Sequence, residues 1–156
     1  MGAFMKTAEQ MINEKGNHLI SVSPNTSIYD ALRLMIEKQI GAILVKKGDE
    51  IVGIWTERDL MRNTVTAGFD AQKAKIGDYM TTGLKSAPAS DTVYMLKDKF
   101  LGLKLRHLLI EKEGKYIGLL SIGDVIKASI QEKDRELKDL NAMVSWEYYE
   151  NWRWKP

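Results

Sequence analysis

The sequence has no cysteine and only two histidines among its 156 residues, which excludes a disulfide framework and a thiolate metal site. No stretch approaches the roughly 20 apolar residues that a bilayer-spanning helix needs. The opening Met1-Gly2-Ala3-Phe4-Met5-Lys6 has too short an apolar part for a signal peptide. Charge of one sign is missing as well: 23 Lys and Arg stand against 21 Asp and Glu, a net charge of +2. That excess is too small for a dedicated nucleic-acid surface, so any anion site must be local. Neither a metal-ligand spacing nor a nucleophile with its base and orienting group can be assembled. The expectation is a cytoplasmic, non-enzymatic protein that needs no metal and binds neither nucleic acid nor membrane.

What the sequence does contain is a repeat. Gly53-Ile54-Trp55-Thr56-Glu57-Arg58-Asp59 returns as Gly118-Leu119-Leu120-Ser121-Ile122-Gly123-Asp124, with glycine, hydroxyl and carboxylate each displaced by 65 positions. The same offset aligns Ser27-Ile28-Tyr29 with Thr92-Val93-Tyr94, Met35 with Phe100 and Val45 with Ile110. Self-similarity at a fixed period implies tandem copies of one structural unit.

In each copy a polar stretch, Pro24-Asn25-Thr26-Ser27 or Ala89-Ser90-Asp91-Thr92, can cap a helix. The helix itself follows from apolar residues at helical spacing, Ile28, Ala31, Leu32 and Met35 or Val93, Leu96, Phe100 and Leu103. Two β-favouring runs come next, 42–45 and 51–55 or 107–110 and 116–120, each pair joined by a charged, glycine-containing turn that predicts a hairpin. A second helix begins at Thr56 or Ser121. With leading strands near 19–22 and 85–87, each unit is strand, helix, strand, strand, helix, in the α+β class. A sheet of about three strands leaves apolar surface and edges exposed, so the copies are expected to pack pseudo-symmetrically. Along the sequence the units span 6–65 and 79–130, with a linker at 66–78 and a C-terminal helix and aromatic arm at 131–156. Lys75 and Met80 repeat the spacing of Lys6 and Met11, so the segment leading into each copy can be repeated too.

These residues resemble a tandem of cystathionine-β-synthase (CBS) domains, the Bateman module, over about residues 6–130. The likeness rests on Gly53, Thr56 and Asp59, on Gly118, Ser121 and Asp124, and on the second-strand segments from Ile40 to Val45 and from Leu105 to Ile110. It is similar above all to small stand-alone bacterial members. The resemblance implies a regulatory module that binds an adenine nucleotide between its units, AMP first and ATP, ADP, NAD(H) or S-adenosylmethionine after it. It places the adenine slot beside the second strand and the chain entering the first: Ile20, Gly41 and Ala42 in copy one, Ser86, Arg106 and His107 in copy two.

The motif suits such a ligand physically. A helix N-terminus offers unpaired N–H groups and partial positive charge to phosphate, and the Thr56 and Ser121 hydroxyls stand there as further donors. Arg58 adds a guanidinium fit for bidentate phosphate contact, and Asp59 or Asp124 can accept from ribose hydroxyls. The strand-end glycines let backbone and ligand approach closely. The bland alternative is that Thr-x-x-Asp and Ser-x-x-Asp are helix caps and nothing more. Strand alternation predicts that Arg106 and His107 point to opposite faces, and His18 is expected in a loop. Ile130, Leu137, Leu140 and Val144 form a heptad-like stripe, and the arm holds Trp146, Trp152 and Trp154; packing on the body or on a twin subunit is the expected role of both. A homodimer follows from the sheet edges and this tail. The rival reading is a scaffold with empty clefts that docks an unknown protein target through the tail.

Overall fold

The computed structural model describes residues 5–16 and 19–136; the tail residues Leu137, Leu140, Val144 and Trp146 to Trp154, and His18, lie outside them. The element order is α1 (Ala8–Lys15), β1 (Ser21–Val22), α2 (Ile28–Lys38), β2 (Ala42–Lys47), β3 (Glu50–Thr56), α3 (Glu57–Thr64), α4 (Ile76–Tyr79), β4 (Ser86–Pro88), α5 (Val93–Leu103), β5 (His107–Lys112), β6 (Lys115–Ser121) and α6 (Ile122–Glu136).

Two three-stranded sheets form, β1-β2-β3 and β4-β5-β6. In each the first pair is parallel, across a helical crossover, and the second is an antiparallel hairpin. The hairpin turns are Gly48-Asp49, with Gly48 at φ +61, and Glu113-Gly114, at φ +53 and +76, the positive angles that two-residue turns require. Ser27 and Thr92 cap α2 and α5 through their hydroxyls. Both of those helices end on a non-glycine residue in the left-handed region, Gln39 at φ 55 and Lys104 at φ 53.

Most of the apolar spacing read from the sequence becomes the core, but Leu103, at the end of α5, is exposed and Leu32 is only partly buried. Ile28, Ala31 and Met35 of α2 are buried with Ile43, Val45 and Trp55; Val93, Leu96 and Phe100 of α5 are buried with Leu108, Ile110 and Leu120. The lead segments, however, are exchanged. Helix α1 precedes the first unit in sequence, yet its Ala8, Met11 and Ile12 belong to the second unit's core. Ile76 of α4, which precedes the second unit, is buried in the first.

Matching backbone bonds fix the exchange: Val93 N–H to Lys6 O and Ile28 N–H to Ala74 O, then Ala8 N–H to Asp91 O and Ile76 N–H to Thr26 O. The lead segments are therefore repeated, but with a period of 68, so Lys6 corresponds to Ala74 and not to Lys75. Boundaries drawn along the sequence at 6–65 and 79–130 cut across this swap.

The exchange also explains the strand glycines. A Cβ on Gly53 would lie 2.4 Å from the Met80 sulfur, and one on Gly118 would lie 2.3 Å from Ile12 Cδ1. The expectation that these glycines admit a ligand is thereby corrected: they admit the other copy's lead segment, because β3 and β6 are crossed there at close range.

Candidate functional site: a cleft between the two repeats

Helices α3 and α6 start at the C-terminal ends of β3 and β6. Thr56 takes the extended backbone of an N-cap, and its Oγ1 accepts from Asp59 N–H at 3.3 Å while Asp59 Oδ2 accepts from Thr56 N–H at 2.9 Å. In the second copy Ser121 Oγ accepts from Asp124 N–H at 3.1 Å and Asp124 Oδ2 accepts from Ser121 N–H at 2.8 Å. Reciprocal caps of this kind satisfy two orphan donors at once. The first helical N–H is also engaged, Glu57 by Gly41 O at 3.0 Å and Ile122 by Arg106 O at 2.8 Å. The expectation of a row of free N–H groups for phosphate is corrected accordingly, since strand and cap consume the first and third.

Capping does not remove the motif from the surface. Ile20, Gly41, Ala42, Thr56, Arg58, Asp59, Arg106, His107, Ser121 and Asp124 all line one cleft of about 1010 Å³. Asp59 and Asp124 keep side-chain exposures of 14% and 29%, and their capping bonds fall on Oδ2, so capping does not use Oδ1 in either.

Ser86 is the exception. It is exposed and its hydroxyl bonds Glu111 Oε2 at 3.3 Å. The backbone explains the miss: Leu44 N–H bonds Ile20 O and Leu109 N–H bonds Lys85 O, so the true counterpart of Ile20 is Lys85, and a slip of one residue moves a side chain to the other face. Alternation failed in a second place. Arg106 and His107 both line the cleft, because β5 begins at His107 and Arg106 lies in the turn before it.

The cleft also gathers residues that the sequence did not single out. Lys15, Lys38, Arg62 and Lys104 join Arg58 and Arg106 in its lining, against Glu57, Asp59 and Asp124. Six Lys or Arg thus face three acids, a local excess larger than the net charge of +2 that the whole chain carries. Arg62 was legible, since it lies at i+3 from Asp59, on the same helix face, with its guanidinium 3.7 Å from Oδ1. Lys15 was not, since only the exchange of α1 brings it to the second copy, where its Nζ lies 2.7 Å from Asp124 Oδ2.

Two α/β units joined at paired hydroxyl–carboxylate helix starts are matched by the family model of the CBS domain, at residues 12–65 and 76–131. The chain belongs to the CBS-domain family. The CBS pair is similar to a mitochondrial CBS domain-containing protein, CBSX3 of Arabidopsis thaliana, with 34% identity over 78% of this chain and 62% of the relative. It spans about 60% of the length of the first curated relatives it matches. Among solved structures, a protein with CBS domains from Burkholderia ambifaria superposes with TM-score 0.77 at 31% identity, over 90% of this chain and 98% of that one. CBSX2 in complex with AMP superposes with TM-score 0.60 at 26% identity, over 83% and 95%.

Among the described residues no helix is long and apolar enough to cross a membrane, and no group of His, Asp and Glu is arranged to hold a metal ion.

Proposed function

We propose that this CBS pair is a non-enzymatic regulatory sensor that binds an adenine nucleotide in the cleft between its repeats, with AMP the first candidate ligand. The observation that carries the reading is the convergence of both hydroxyl–acid motifs on one cleft whose lining holds six Lys or Arg against three acids. Ribose hydroxyls would donate to the Asp59 and Asp124 carboxylates, and phosphate oxygens would accept from the cations. At an effective dielectric near 20, one phosphate charge about 4 Å from one cation gains about 4 kcal/mol before desolvation.

The same lining argues for an anionic ligand. ATP, ADP and NAD(H) fit that sign, whereas the sulfonium of S-adenosylmethionine opposes it. The AMP complex of CBSX2 supports adenine as the base, with Ile20, Gly41 and Ala42 beside it in copy one and His107 at the matching place in copy two.

Regulation follows if nucleotide binds two arrangements of the module unequally, because equal affinity shifts nothing. A homodimer, a cytoplasmic location and a downstream protein target are part of this proposal. Exposed Tyr29 and Ile36 on α2 and Met95 and Leu101 on α5 supply apolar surface for a second copy. A dimer mass in light scattering at micromolar concentration is the expected result, and a monomer mass removes that part.

The test of the ligand is calorimetric titration with AMP, ADP, ATP, NAD and S-adenosylmethionine. Saturable heat with the anionic members is expected. Silence with all of them favours the scaffold, and the appearance of nucleotide products on chromatography would make the protein an enzyme.

A further inference from the structure

The two halves of the cleft neutralise their carboxylates differently. In the first, Asp59 is approached by Arg62 of its own helix, 3.7 Å from Oδ1, and Arg58 lines the cleft one residue before the acid. In the second, the position of Arg58 is Gly123, and Lys127, which matches Arg62, is not among the residues lining the cleft. The cation beside Asp124 comes instead from the other end of the chain.

Lys15 is the last residue of α1. Its Nζ donates to Asp124 Oδ2 at 2.7 Å and to Leu119 O at 3.2 Å, so it is held at two points across the end of β6. The helix carrying it cannot slide, since Ala8, Met11 and Ile12 are buried and Ile12 fills the space that a side chain at Gly118 would need.

In the first copy the carbonyl matching Leu119 is that of Ile54, and a backbone group satisfies it: Thr81 N–H, at 2.8 Å. Helix α4 stops at Tyr79, and Thr81 is the only residue of that segment among those lining the cleft. The same structural position thus holds a neutral backbone amide in one half and an ammonium group in the other.

Resting on the nucleotide reading above, we infer that Lys15 is a phosphate-selecting residue of the Asp124 half-site. A bare carboxylate in a partly enclosed cleft repels a phosphate placed beside the ribose it binds. With Gly123 in place of an arginine, Lys15 is the counter-ion that cancels this repulsion and adds a donor on the phosphate side. The lead helix therefore contributes ligand specificity at a carboxylate 109 residues further along the chain.

The test compares Lys15→Gln, which keeps a donor without the charge, with Lys15→Arg, which keeps both. AMP and adenosine affinities are measured in the native chain and in an Asp59→Ala background that reports on the Asp124 half, with a melting scan on each protein. Lys15→Gln is expected to weaken AMP at least tenfold in the Asp59→Ala background and to flatten the salt dependence of binding. Adenosine is expected to be unchanged between the two, and Lys15→Arg to stay within about threefold of the parent.

Equal weakening of AMP and adenosine, equal loss in both Lys15 variants, or no loss in either would overturn the assignment and leave Lys15 an anchor of α1. Native protein that gives no heat with AMP overturns the assignment for that ligand, and no heat with any nucleotide of the panel would remove the functional reading on which it rests.

Discussion

The two repeats are built on one plan but closed by different means, and the difference tracks the helices that cover them. In the second unit, α1 and the 15-residue α6 supply Met11, Ile12, Val125 and Ala128, so the core is closed by buried aliphatic side chains from both. In the first, α3 buries no residue at all, and α4 is a single short turn contributing Ile76. Closure there falls to Trp55, fully buried, with its indole N–H donating to Asn63 Oδ1 at 2.9 Å; the second copy needs only Leu120 at that position. Where a covering helix is short, one large side chain with a polar tip fills the space that several small ones fill elsewhere.

That contrast can be broken at its strongest point. Trp55→Leu makes the first core resemble the second without giving it the covering helices, so a cavity and an unpaired Asn63 should follow. A loss of about 3 kcal/mol in urea denaturation is expected, and a loss below about 1 would mean that the surroundings collapse to fill the site.

The glycines sharpen it further. Gly118→Ala drives a methyl into β-branched Ile12, whereas Gly53→Ala meets the flexible end of Met80. Overpacking should cost about 2 kcal/mol in the first case and about 1 in the second. No measurable cost at either glycine would contradict the exchange of lead segments.

Much of this was legible beforehand, and the failures share one cause. Strands, hairpins and the helices at 28–38 and 93–103 were read from periodicity because their packing is local to each copy. The exchange of α1 and α4 was not, since apolar spacing says that a face is covered but not by which neighbour. Lys15 was lost for that reason, as was the true partner of Gly53 and Gly118. Ser86 was lost to a register slip in a strand only three residues long, where too few side chains fix the alternation.

Capping and ligand contact are geometrically compatible in the motif, because one carboxylate oxygen caps while the residue still lines the cleft. Asp59→Ala or Asp124→Ala should therefore lower stability by about 1 kcal/mol through the lost cap, read by denaturation, and separately weaken nucleotide binding.

The smallest effect belongs to the clasp between α1 and β5. The Lys112 ammonium donates to Glu9, and this hydrogen bond, with the attraction of the same carboxylate, raises the Lys112 pKa above its usual 10.5. A raised pKa means that the contribution is present below the ordinary lysine value and is lost as pH climbs through the raised one. Lys112→Met should move the neutral-pH melting temperature by no more than the scatter of the scan, since exposed pairs contribute little.

The most direct test of the central claim is AMP titration of the native chain beside the double variant Asp59→Asn, Asp124→Asn, with both proteins melted in the same buffer. The account predicts saturable binding by the native protein and a loss of at least tenfold in the variant, out of proportion to a modest fall in melting temperature. Native-like affinity in a destabilised variant would contradict it and leave the two acids as helix caps alone.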